Sequence, residues 1–439
     1  MKLIKEVREF GKICCNESLE GNSEYTYIPK TDFYKLVNFI RELADEKEHT
    51  DILEFMKIIP KKNVGDVISV NNYVGLIQIN NGCQIQILPK IDFINDDEHF
   101  DKTKKVFLRM LRCLKDFPSK VFKNANFKTE RMTLYEIFIN MYLQDVRTLI
   151  KHGIKSAYIS NECNLNFYKG KLAVNEHFKH NFAHAERFFV RFDEYMVDRA
   201  ENRLVKSTLL KLLNISSSPE NQKEIRQLLS SFEMVKSSTN YQKDFSKVVN
   251  DRSTKDYDSL MRWSRVFLMN KSFTTFSGES NARALLFPME KVFESFVAQQ
   301  LRKILIGLGW EISIQDKGYY LFNSPPHFLL KPDIVITRKD NSKIILDTKW
   351  KSLVNNPGLN YGISQSDMYQ MYAYAKKYNT SEVWLVYPAN QDMKDCENII
   401  FKSDDDVSVR LFFVNLADEN CLVPLLQLLK REESECYYV

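Results

Sequence analysis

Residues 67–91, VISVNNYVGLIQINNGCQIQILPKI, alternate apolar and polar positions on both sides of Asn80-Asn81-Gly82. A period of two predicts strands, and Asn-Gly between two such runs predicts a hairpin, because a type I′ turn needs positive φ at both central positions. Residues 31–57 read as mixed helix, so residues 1–100 form an N-terminal α+β module. The pattern then changes to a helical period. Apolar residues stand at 134, 137, 138, 141, 142, 146, 149 and 150, one face of a helix over 133–151. Further helices are expected at 195–213, 219–233 and 256–270, the second with Ser218 at its N-cap and Pro219 at its first position. Residues 101–275 are therefore expected to be mainly helical.

After residue 285 helix and strand patterns interleave. PMEKVFESFVAQQLRKIL (288–305) and residues 364–378 have helical periodicity, whereas 310–314, 318–322, 333–337, 343–349 and 382–388 are strand-like. This predicts an α/β domain with a mixed sheet over 276–439. The whole chain is expected to be an α+β multidomain protein.

The strand pair at 333–349 carries the candidate chemistry. Two β-rich runs flank the polar turn Lys339-Asp340-Asn341-Ser342. A turn centred on 340–341 sets Asp333 opposite Asp347 to within about one residue of register, and opposed residues share a face. The period of two puts Lys349 on the face of Asp347, with Ile344, Leu346 and Thr348 pointing the other way. Two carboxylates suit a hard divalent ion such as Mg²⁺, which keeps waters and accepts a substrate phosphate. A lysine beside that water can orient it and stabilise developing charge. The same residues also fit a strand start and an exposed Asp-x-Lys without chemistry. Two features argue for the site: Asp347 and Lys349 emerge from the apolar run Ile344-Ile345-Leu346, where unpaired charge is costly, and Gln370 and Tyr374 share a helical face.

Composition narrows the function classes. The 439 residues are 44% hydrophobic and 27% charged, and the scarce Gly and Pro (13 and 12) exclude long low-complexity linkers. With 30 Phe and 21 Tyr, the cores are expected to be rich in aromatic rings. No run approaches the roughly 20 apolar residues that span a bilayer, and the charged N-terminus lacks a signal-peptide core. Eight cysteines without C-x-x-C spacing read as reduced thiols of a cytoplasmic protein. The net charge of +5 permits a nucleic-acid partner without requiring one. Residues 101–131 hold ten Lys/Arg against three Asp/Glu; they suit DNA phosphates, an acidic partner surface or plain solvation.

The Pro332-Asp333, Asp347-Thr348-Lys349 and Gln370-Met371-Tyr372-Ala373-Tyr374 segments together resemble the PD-(D/E)xK nuclease superfamily with its Q-x-x-x-Y extension. The resemblance implies Asp333 and Asp347 as metal ligands, Lys349 as the residue positioning water, and Gln370 and Tyr374 as residues orienting the site or the DNA. It also implies an acidic residue on the preceding helix, with Glu290 and Glu294 as candidates and Glu294 favoured. LLFPMEKVFESFV, KPDIVI, LDTKWK and DMYQMYAYA, with QIQILPKI and RFDEYMVDRAENRLVKSTL upstream, are similar to the McrC family, from about residue 67 onward. That resemblance implies a Mg²⁺-dependent endonuclease subunit cutting double-stranded DNA, with 101–275 docking on an McrB-like AAA+ GTPase ring. GTP would be bound by the partner; this chain has no G-x-x-x-x-G-K-[ST]. The first 66 residues would be an addition to the family frame. The rival readings are a non-catalytic factor regulating a partner GTPase and a stand-alone repair or recombination nuclease.

Three other signals stand apart. His177, His180 and His184 are spaced for one helix face, yet no cysteine cluster supports a zinc site. Lys169-Gly170-Lys171 and the Arg191–Arg203 run are partner-contact candidates through the resemblance. Asp404-Asp405-Asp406 reads as a surface loop.

Overall fold

The computed structural model describes residues 4–45, 56–79, 83–91, 99–115, 117, 132–249, 254–269, 282–394, 396 and 399–435. The chain divides into two units, Met1–Lys120 with Ser272–Val439 and Val121–Lys271.

The first unit begins with β1 (Ile4–Arg8), β2 (Lys12–Cys14), β3 (Tyr25–Tyr27) and helix α1 (Lys30–Asp45). Strands β4 (Met56–Lys61), β5 (Gly65–Val70), β6 (Tyr73–Ile79) and β7 (Gln84–Leu88) follow, then helix α2 (His99–Leu111). One sheet has the order β3-β2-β5-β4. The alternating pattern becomes the antiparallel pair β6–β7, from Gly75↔Ile87 to Gln78↔Gln84. The Asn80-Asn81-Gly82 turn lies outside the described residues. Gln84 and Gln86 are buried along with the apolar positions of β7, so this sheet is covered on both faces.

The second unit opens with α3 (Leu134–His152), whose first turn is capped by Thr133 Oγ1 accepting from Glu136 N at 3.3 Å. Gly153, at φ 91°, ends it. Then come β8 (Ala157–Leu165), β9 (Lys171–Leu172), α4 (Val174–Asn181) and β10 (Phe188–Met196). The unit closes with α5 (Ala200–Ile215), α6 (Pro219–Ser230), α7 (Tyr241–Ser246) and α8 (Asp258–Met269). Ser218 caps α6 with Pro219 inside its first turn, as the sequence predicts. Buried Phe138, Tyr142, Trp263 and Phe267 form its aromatic core. The helical reading of this stretch needs one correction: β8, β10 and β9 form a three-stranded sheet, and the segment 195–196 ends a strand instead of starting a helix. Val190 alone is fully buried along β10, so no apolar alternation marks the strand.

The chain returns to the first unit with β11 (Ala282–Pro288), which joins β6 and completes the order β1-β7-β6-β11. Gly75 is required at that junction, since a Cβ there would stand 2.0 Å from the Leu285 carbonyl oxygen. Helix α9 (Met289–Leu305) leads to β12 (Glu311–Ile314), β13 (Tyr320–Asn323), β14 (Pro326–Leu329), β15 (Ile334–Thr337) and β16 (Lys343–Thr348). After them come α10 (Gln365–Tyr378), β17 (Glu382–Pro388), β18 (Ile400–Lys402), β19 (Ser408–Val414) and α11 (Val423–Glu435). The main sheet has the order β12-β15-β16-β17-β19-β18 and is mixed: β12–β15–β16 are antiparallel, β16–β17–β19 parallel. Met371, Tyr374, Ala375 and Tyr378 of α10 pack on Val335, Ile345, Val383 and Leu385 of that sheet. The run 318–322 stays out of it, because β13 pairs with β14 in a separate hairpin. The architecture is α+β with several mixed sheets. Among the described residues no helix is long and apolar enough to cross a membrane.

Candidate active site

All six site candidates lie in the first unit, and the main sheet positions three of them. The β15–β16 ladder runs from Thr337↔Lys343 to Ile334↔Leu346, and one further step brings Asp333 opposite Asp347. Asp333 sits just before β15 and its carboxylate turns toward β16. Its Oδ2 accepts from Thr348 N at 2.8 Å and from Thr348 Oγ1 at 2.7 Å. The sequence reading had Thr348 pointing away; the bend at Asp333 lets the threonine hold it instead. Among the described residues no donor reaches Asp333 Oδ1.

Asp347 is 2% exposed, at the end of a buried strand. Lys349 Nζ stands 2.7 Å from its Oδ2, an ion pair off the alignment of a regular hydrogen bond, and among the described residues no other donor reaches this buried oxygen. Burial, and then the charge of Asp333, push the Asp347 carboxyl well above the usual carboxylate range against the pull of Lys349. Burial raises Asp333 too, opposed by the Thr348 hydrogen bonds. Burial disfavours the Lys349 ammonium, but Asp347, Asp367 and Asp333 outweigh it and hold that group above the ordinary lysine value.

Helices α9 and α10 supply the rest. Lys349 Nζ donates to Gln370 Oε1 at 3.2 Å and lies 3.6 Å from Asp367 Oδ1. Gln370 Nε2 donates to the Tyr374 hydroxyl at 2.9 Å, so a polar chain runs Asp347–Lys349–Gln370–Tyr374. The i, i+4 spacing on α10 makes this link. Glu294 accepts from Gln315 Nε2 at 2.8 Å, and its carboxyl is pushed up to about 7 by burial and then by the Asp333 charge. Glu290 instead faces Asn72, at 3.4 Å, and acts on Glu9. Of the two candidate glutamates, Glu294 is the one beside Asp333.

Three residues escaped the sequence reading. Thr348 and Asp367 carry only the signal of adjacency to the motif and to the start of α10. Glu9 holds Trp350, the residue after Lys349, with Trp350 Nε1 2.9 Å from both carboxylate oxygens. A separation of 341 positions leaves no sequence signal for that pair.

The donor set is all oxygen, which suits a hard divalent cation. Among the described residues no three His, Cys, Asp or Glu side chains are gathered tightly enough to hold an ion alone. Magnesium typically needs only one or two carboxylates, with water and phosphate completing its shell. Asp333 Oδ1, which no donor reaches among the described residues, and Asp347 Oδ2, which has only the Lys349 ammonium beside it there, fit that requirement.

The family comes from a long stretch of the chain rather than from these side chains. A family model described as McrBC 5-methylcytosine restriction system component matches residues 68–388, close to the extent of the sequence resemblance. The chain belongs to that family. Its matched span contains all six candidate site residues. A search of curated proteins finds no match. Among solved structures, a chain of the refined half-complex from the tetradecameric assembly of Thermococcus gammatolerans McrB AAA+ hexamers with bound McrC matches at TM-score 0.68 and 17% identity, covering 97% of this chain and 100% of that one. A chain of the Thermococcus gammatolerans McrBC complex matches at TM-score 0.47 and 17% identity, covering 69% and 87%. The first likeness is one of fold. Its coverage leaves too few residues unmatched for the whole segment before residue 67 to be an addition relative to that chain.

Elsewhere the other candidates are engaged locally. His177 Nδ1 lies 3.1 Å from Asn181 Nδ2, His180 pairs with Glu176 at 3.3 Å and His184 with Glu186 at 3.1 Å, so the three have separate partners. Arg199 binds Glu201 through two hydrogen bonds of 2.7 Å, and Arg203 binds Asp198. In the basic stretch, Lys104 is buried against Glu6 at 3.0 Å, and Arg109 donates to the Leu416 carbonyl and stacks on Phe296. Its residues 118–131 lie outside the described part. Asp405 accepts from Tyr372 and pairs with Lys376, both at 2.5 Å, in an exposed loop.

Proposed function

We propose that this restriction-system protein is the DNA-cleaving subunit, a Mg²⁺-dependent endonuclease that cuts double-stranded, modified DNA in the cytoplasm. The observation that carries the reading is Asp347, buried at the end of β16 with the Lys349 ammonium paired to it and Asp333 opposite. Asp333 and Asp347 would hold the magnesium ion. When bound, the ion lowers the pKa of a coordinated water and neutralises charge on the phosphodiester under attack. Lys349 donates from Nζ to the attacking water and stabilises the charge that develops on the phosphate. Asp367 and Gln370 fix the direction of that ammonium, Tyr374 fixes Gln370, and Thr348 fixes Asp333. Glu294 acts as an accessory acid at the same edge.

The fold follows a chain of an assembly in which McrC is bound to McrB AAA+ hexamers, which supports an McrB-like AAA+ GTPase as partner. GTP belongs to that partner, because this chain lacks a phosphate-binding loop motif.

Incubation of the purified chain with long methylated DNA and Mg²⁺, alone and with a candidate GTPase partner plus GTP, tests this. Cutting only with partner and GTP, abolished by Asp347→Ala, is the expected result. Cutting by the chain alone would favour a stand-alone nuclease, and stimulation of the partner GTPase without Asp347-dependent cutting would favour a regulatory factor.

A further inference from the structure

Between β12 and β15 the chain leaves the main sheet and forms a hairpin of its own. Among the described residues β13 and β14 pair only with each other, from Tyr320↔Leu329 to Asn323↔Pro326, and every residue of β14 is exposed. An isolated two-stranded hairpin has no core to bury apolar groups in. Even so, this one carries Tyr320, Phe322, Phe328 and Leu329 on its surface, with Phe322 58% and Phe328 71% exposed. Phe328 also has φ 60°, a conformation a bulky side chain rarely takes, and its ring meets that of Phe322 edge-on with centroids 5.9 Å apart. Two large rings are thus paired in solvent at a strained backbone position.

The base of the hairpin is fixed. Leu330 N donates to the Tyr319 carbonyl at 2.9 Å, the Tyr319 ring lies 4.4 Å from that of Tyr378, and Lys343 Nζ donates to the Tyr319 hydroxyl at 3.1 Å. The base is also close to the site. Lys331 follows the hairpin two residues before Asp333, and its charge acts on both Asp333 and Glu294. From Lys317 to Lys331 the sequence KGYYLFNSPPHFLLK has no acidic residue and a lysine at each end. Rings that every base can stack on, bounded by positive charge, suit a polyanion with aromatic faces.

The geometry points to the β13–β14 hairpin as a DNA-engaging element whose Phe322–Phe328 pair presses against the bases next to the phosphodiester on which the Asp333–Asp347 site would act. This rests on the nuclease reading for its location, and duplex DNA is the occupant it commits to. Apolar wedges of this kind unstack a base step and bend the duplex.

The test uses the full-length chain without partner or GTP, where no cutting is expected, and fluorescein-labelled duplexes bearing 2-aminopurine at successive positions. The chain with an intact hairpin is expected to bind and to brighten 2-aminopurine at one or two adjacent steps. Adding Phe322→Ala and Phe328→Ala should raise Kd about tenfold or more and remove the fluorescence change, with the salt dependence of Kd unchanged because no phosphate contact is lost. Lys317→Ala should instead reduce the salt slope by about one ion. Thermal melting checks that the variants fold; both rings are exposed, so the melting temperature should stay put. Unaltered affinity and fluorescence in the double variant would overturn the proposal, as would no DNA binding at all. A shift from dimer to monomer in sedimentation with DNA binding intact would assign the hairpin to a second copy of this chain. The nuclease reading fails separately: wild-type chain that binds and brightens the probe, yet never cuts with Mg²⁺, partner and GTP, would sink that reading and leave the hairpin's role standing.

Discussion

Two buried carboxylates in this protein, one in each unit, are treated in opposite ways. Glu136 on α3 is enclosed by donors: its oxygens accept from Ser216 Oγ at 2.7 Å, Ser217 N at 2.6 Å, Ser217 Oγ at 3.1 Å and Asn221 Nδ2 at 2.7 Å. Asp347 on β16 is as deeply buried, but among the described residues it has one ammonium beside it and no ring of aligned donors. A buried charge costs free energy unless hydrogen bonds replace its water, so the first arrangement serves the fold. The second leaves an oxygen with unspent capacity, as expected of a group kept for a ligand. Burial alone therefore does not separate the two acids; the ring of donors around Glu136 is what Asp347 lacks among the described residues.

The largest effect that would break this contrast is on chemistry. Asp347→Ala should lower single-turnover DNA cleavage at least about a thousandfold, a loss comparable to removing a principal transition-state stabiliser, while its melting temperature stays level or rises. A fall in stability with cleavage retained would reverse the assignment. Glu136→Ala should do the opposite. It strands the Ser216, Ser217 and Asn221 donors and should cost about 3 kcal/mol, read by denaturant titration of the full chain, with Mg²⁺ affinity unchanged.

Glu9 sharpens the comparison as an intermediate case, buried yet bonded to Trp350 and to Lys90 N, with burial pushing its carboxyl to about 7. An acid whose folded pKa is raised binds its proton more tightly when folded. Its stabilising contribution is thus full below about 4.5, the unfolded value, and is lost as pH rises through about 7. Glu9→Gln should flatten the decline in stability across that window, by on the order of 2 kcal/mol, in urea titrations from pH 4.5 to 8. An unchanged pH slope would show that Glu9 does not titrate as described. The smallest expected effect is that of Thr348→Val. It removes one of the two hydrogen bonds to Asp333 and should slow cleavage about tenfold, the equivalent of about 1.4 kcal/mol. A rate equal to wild type would mean that the backbone N–H alone holds Asp333.

Much of the site was legible because its parts are local. Asp333, Asp347 and Lys349 sit on one hairpin, where strand periodicity and a polar turn fix their mutual position, and the ladder agrees to within a residue. Gln370 and Tyr374 were linked by helical spacing, and the 2.9 Å bond between them follows from it. Thr348 was misread because the ladder stops at Ile334, so the rule of alternating faces no longer governs Asp333. The β8–β10–β9 sheet escaped because its strands bury too little to leave an apolar alternation. Contacts such as Glu9 with Trp350, or β11 on β6, join distant segments, and no local pattern encodes them.

The most direct test of the contrast is a titration of the full chain with Mn²⁺ as a stand-in for Mg²⁺, followed by electron paramagnetic resonance, comparing wild type, Asp347→Asn and Glu136→Gln. The account predicts one bound ion per chain in wild type, loss of that site in Asp347→Asn and its retention in Glu136→Gln. Equal binding by wild type and Asp347→Asn would contradict it.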